Sequence, residues 1–167
     1  MQNAVEWRAP FAYLPRPLLE PARPGISILV GWLTTFIPSI LLGLIVTNLM
    51  PTAAQPQLAL NTPAGLVLVA VVAPLLETLI MAGVLSLLLR FLPPSGAVLV
   101  SSAGWGIAHS LAAPVWGLVI WWPFLVFSVL YVTWRKRSLG AGIAVPAAVH
   151  CLQNLLPATA AFVGLAV

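Results

Sequence analysis

Three side chains join proton-exchanging chemistry to an apolar setting: Glu77, His109 and His150. Glu77 lies within Ala64 to Phe91, a run long enough to cross a bilayer. The other acidic residues, Glu6 and Glu20, belong to the N-terminal arm, and aspartate is absent. A charge at mid-membrane costs ~2.5–3.5 kcal/mol on insertion scales, so an ordinary spanning helix has no use for one. His109 and His150 are the only imidazoles, and both stand in apolar segments. Imidazole changes charge near neutral pH, and intramembrane ionisable groups mark functional sites by default. Asn154 follows His150 by four residues, which places both on one helix face. Trp105 and His109 have the same spacing. Each group alone has a plainer reading. A Glu can be held by a Ser or a backbone group, a His can tie helices, and an Asn can join them. Four such groups at one depth point to a single site.

The elements that must position them are membrane helices. Of 167 residues, 61% are hydrophobic and 6% charged. Soluble domains carry about 25% charged residues, so this chain cannot cover a surface in water. The expected fold is all-α, a polytopic transmembrane bundle of about five spans. Residues 1–25, broken by proline, form a cytoplasmic or interfacial arm, and 26–167 form one transmembrane domain. The arm lacks the pattern of a cleavable signal peptide. The spans run Ile26–Leu49, Ala64–Phe91, Gly96–Ala113, Val115–Trp134 and from Gly140 onward. Pro38 and Pro74 are expected to kink their helices. Pro157 either breaks the last one or is carried within it. The third span, rich in Gly, Ala and Ser, is expected at the bundle centre, because small residues let backbones approach. The fourth, with Trp116, Trp121, Trp122, Tyr131 and Trp134, is expected to face lipid and the interfaces.

Seven Lys and Arg give a net charge of +4. They sit beside apolar runs, at Arg8, Arg16, Arg23, Arg90 and 135–137, and this pattern sets orientation rather than binding nucleic acid. Five spans with a cytoplasmic N-terminus put all seven on the cytoplasmic side. Cys151 has no intrachain partner and reads as small packing filler. At ~1.5 Å per residue, Glu77 lies roughly 20 Å from Arg90, His109 roughly 20 Å from Gly96 and His150 roughly 15 Å from Gly140. All three are expected near the midplane.

The segments PLLETLIMAG, WGIAH and HCLQN, in that order on successive spans, resemble the three motifs of the CAAX-protease and bacteriocin-processing (CPBP, or Abi) family of intramembrane endopeptidases. YVTWRKRSLGAGIAVPAAVH is similar to that family's approach to its last motif. The resemblance covers about 74–154. Glu77 matches the first Glu of Glu-Glu-x-x-x-Arg, His109 the His of Phe-x-x-x-His, and His150 with Asn154 the pair His-x-x-x-Asn. The second Glu is replaced by Thr78, the Arg by Ala82 and the Phe by Trp105. The joint loss of Glu and Arg removes an ion pair without stranding a charge. Thr78 and Trp105 thus stand where the family has supporting groups.

The resemblance implies a multi-pass endopeptidase in a bacterial plasma membrane, acting on a membrane-anchored protein or peptide, with lipid around it and no nucleic acid. Glu77 and His109 would hold and activate a water, and His150 and Asn154 would donate to the oxyanion. A metal-free glutamate mechanism is preferred. Zinc held by Glu77, His109 and His150 is the alternative. Other classes stay open: an inactive family member acting as a partner or immunity protein, and a proton- or ion-coupled carrier. The missing inverted repeat counts against the carrier.

Overall fold

The computed structural model describes residues 8–54 and 60–164. The expectations for residues 1–7 with Trp7, for 55–59 of the first outer loop and for 165–167 lie outside the described residues. Among the described residues the structure is helical, without strands. A short helix α1 (Arg16–Leu19) is followed by five long ones: α2 (Pro24–Leu49), α3 (Pro63–Leu88), α4 (Pro94–Ala112), α5 (Trp116–Trp134) and α6 (Leu139–Phe162).

Local sequence explains the boundaries. Pro24, Pro63 and Pro94 stand at the first helical positions, where the missing N–H is no loss. The hydroxyls of Thr62 and Ser138 accept from the backbone N–H groups of Gly65 and Ala141, at 3.0 Å each. Helix α6 carries Pro157 within it and continues to Phe162, so the last span is not broken there.

Four helices, α2, α3, α5 and α6, are long and apolar enough to cross a membrane. Helix α4 has 19 residues, as α5 does, but its Ser, Gly and His content makes it less apolar. Consecutive long helices run antiparallel, so the α3–α4 and α5–α6 turns share the arm's end of the bundle. Arg137 ties that end together by donating from its guanidinium to the Ala22 carbonyl at 3.0 Å. Lys136 titrates below the ordinary lysine value there, through lost hydration first and the Arg8 charge second.

The packing reverses one expectation. The bundle centre is α5, not α4, and every residue of α5 from Phe124 to Trp134 is buried. Tyr131 and Trp134, expected at lipid, are 0% and 2% exposed. A helix that is apolar all round has no face to give to water, and here protein rather than lipid surrounds it. Ser86 takes the Tyr131 hydroxyl at 2.6 Å, so the polar tip of that ring is satisfied inside. At the opposite end Trp121 stays exposed, as expected of the aromatic span.

The small residues of α4 serve contact along one face only, where Ala97, Ser101, Ser102 and Gly106 are buried. Gly106 meets Gly117 of α5, and a β-carbon on Gly117 would overlap the Gly106 carbonyl and the Ser110 hydroxyl. Gly104 faces open space, and Ala103 and Ala108 are exposed. The arm also departs from a purely interfacial strip. Phe11, Leu14, Leu18 and Leu19 are buried, and Leu18 reaches toward Gly31 beside Leu130 and Val149. The Ser27 hydroxyl donates to the Pro17 carbonyl at 2.6 Å and fixes the fold-back.

Candidate active site

Glu77 and His150 lie at matching depth. Glu77 is eleven residues before the end of α3 and His150 eleven after the start of α6. At 1.5 Å per residue both sit about 16 Å from the arm's end. Their atoms approach: Glu77 Oε2 is 3.6 Å from His150 Nε2. The imidazole side chain is 4% exposed, whereas the carboxylate side chain is 30% exposed.

Thr78, fully buried, lies 3.2 Å from His150 Nδ1 through its hydroxyl. In the tautomer that turns Nε2–H to the carboxylate, Nδ1 keeps the lone pair and accepts from the Thr78 hydroxyl; in the other, Nδ1–H donates to that hydroxyl. Aromatic rings close the other sides of His150. Phe127 stacks on it at 4.6 Å between centroids, and Phe124 meets it edge-on at 5.3 Å.

His109 is held apart from this trio. It stands fifteen residues into α4, about one turn deeper than Glu77 and His150. Its Nδ1 is 2.8 Å from the Trp105 carbonyl, four residues back. A carbonyl can only accept, so Nδ1 carries the hydrogen, and in the neutral ring Nε2 presents a lone pair. Phe124 bridges the two imidazoles, with its centroid 5.6 Å from His109. Trp105 stacks on the same phenyl ring at 4.3 Å. Among the described residues, no three His, Cys, Asp or Glu side chains converge as a metal ion requires. Glu77, His109 and His150 do not form the ligand set of the zinc alternative in this arrangement.

Asn154, one turn beyond His150 and half-buried, faces the first half of α3. Its Nδ2 donates to the Val69 carbonyl at 3.2 Å. That carbonyl belongs to a π turn over Leu68–Val72, where the sequence led us to expect a proline kink. Cys151 Sγ lies 3.9 Å from the Val71 carbonyl in the same turn.

The structure thus joins Glu77, Thr78 and His150 directly, links His109 to them through Phe124, and engages Asn154 at Val69. Three participants escape the sequence reading: Phe124, Phe127 and the Val69 carbonyl. A phenylalanine in an apolar aromatic run carries no signal of its own. The π turn left none either, because the five-residue step between the packed positions Gly65 and Ala70 shows only once their burial is known.

A model of the Rce1-like family, described as type II CAAX prenyl endopeptidase Rce1-like, matches residues 59–156. This is more than half of the chain and includes all four groups. No curated protein and no solved structure matches it.

Proposed function

Because the chain belongs to the Rce1-like family of type II CAAX prenyl endopeptidases, we propose that it cleaves a peptide bond of a membrane-anchored protein or peptide with water activated by Glu77. The observation that carries this reading is the approach of Glu77 Oε2 to His150 Nε2 at 3.6 Å inside an apolar bundle. Glu77 takes a proton from water as the oxygen attacks the scissile carbonyl. His109, with its Nε2 lone pair, holds that water. The His150 N–H and the second N–H of the Asn154 amide stabilise the oxyanion. Glu77 then returns the proton to the leaving amine, which completes hydrolysis.

The low charge and the apolar helices support a plasma-membrane location. The clustering of basic residues at the arm's end supports a cytoplasmic arm. The test is a cleavage assay with purified protein and a panel of membrane-anchored peptides, prenylated and not. Glu77→Gln should keep the fold, because the amide has the same shape and no charge. Cleavage should fall by about 10²–10⁴-fold, the contribution of a general base. Chelator should leave wild-type cleavage intact. Wild-type activity in Glu77→Gln would remove Glu77 from the chemistry. A parent without cleavage but with pH-dependent transport would establish the carrier class instead.

A further inference from the structure

The buried positions of α3 run Gly65, Ala70, Pro74, Thr78, Met81, Ala82 and Leu85. All intervals but the first suit an α-helix. Five residues of α-helix turn through about 500°, which would carry Ala70 about 140° away from the side of Gly65. The π turn over Leu68–Val72 takes up the extra residue and keeps both on the packed side.

The same turn creates an unfilled acceptor. Ala73 N–H bonds the Leu68 carbonyl, five residues back. The next donor in that register would be residue 74, and its acceptor would be Val69. Proline has no N–H, so the Val69 carbonyl is left without a helical partner. This is the carbonyl that the Asn154 amide engages at 3.2 Å. An Asn amide has two N–H groups, so one is held here and the direction of the other is fixed.

We propose that Pro74 is a positioning residue: by withholding its N–H it leaves the Val69 carbonyl as the anchor that orients the Asn154 amide. The catalytic use of that orientation rests on the endopeptidase reading, but the anchoring itself does not. Restoring an N–H at position 74 ends the vacancy in either register. In a π register residue 74 bonds Val69, and in an α register Ala73 does. Asn154 is then released.

The experiment compares wild type, Pro74→Ala, Asn154→Ala and the double variant in detergent, by melting temperature and by kinetics on a cleaved peptide. Asn154→Ala should lower the melting temperature of the parent by about 2–10 °C, because it strands a half-buried carbonyl. In the Pro74→Ala background the same change should cost little. Pro74→Ala should lower kcat on the order of 10–100-fold with KM nearly unchanged, as a misdirected group does. Additive melting shifts would overturn the anchor. Coupled shifts with wild-type kcat in Pro74→Ala would overturn its positioning role. If the parent cleaves nothing, the endopeptidase reading fails, while the melting data still decide the anchor. Should Asn154→Ala not fold, Asn154→Leu, similar in volume but without any donor, takes its place.

Discussion

Thr78 Oγ1 stands 3.2 Å from His150 Nδ1, on the ring edge opposite the one that faces Glu77. The residue that replaces the family's second glutamate therefore touches the candidate site directly. A neutral hydroxyl orients the imidazole without adding a second carboxylate, so the lost arginine leaves nothing uncompensated.

Removing only that hydroxyl tests the orientation. Thr78→Val keeps the shape and loses the donor. Cleavage should fall about 10–100-fold, the usual effect of losing a group that orients a functional side chain. Thr78→Ser should recover most of it. Equal activity in Thr78→Val and wild type would mean that Phe124 and Phe127 alone hold the ring.

Gly117 tests the packing beneath the site. Gly117→Ala drives a β-carbon into the Gly106 carbonyl, and backbone cannot swing aside as a side chain can. Overpacking of this kind costs about 1–3 kcal/mol. The melting temperature in detergent should drop accordingly. Gly104→Ala, on α4 with Gly106 but facing open space, should not lower it.

Orientation follows from two exposed turns. In a Cys151→Ala background, Phe91→Cys reports the α3–α4 turn and Thr52→Cys the segment after α2. Phe91 is 78% exposed and Thr52 is exposed at the other end. An impermeant maleimide added to intact cells should label Cys at 52 and spare Cys at 91. The reverse pattern would place the arm outside.

Much of the architecture was written in composition and punctuation. Charge-free apolar runs and helix-starting prolines located the five long helices to within a few residues. The level of Glu77 and His150 was also legible, because residue counts from a turn convert directly to depth. The burial order was not. Trp and Tyr in α5 look the same whether lipid or protein surrounds them, and only the helices and the folded-back arm packed around α5 decide it. The partners of the polar side chains were equally hidden. Nothing in HCLQN says that Asn154 meets a backbone carbonyl, because the vacancy arises on another helix, from a proline 80 residues earlier.

The folded-back arm has a consequence for the order of assembly. Leu18 is synthesised before its partners: Leu130 and Val149, which line its pocket beside Gly31, are made more than 110 residues later. Domains form as synthesis proceeds, but contacts so distant in sequence must wait for their partners. The arm therefore leaves the ribosome before the helices that receive it, and docks after them. A nascent chain halted after Trp134 has Leu130 but not Val149, so its arm stays open to protease. Protection of the arm then serves as a clock for completion of the whole bundle.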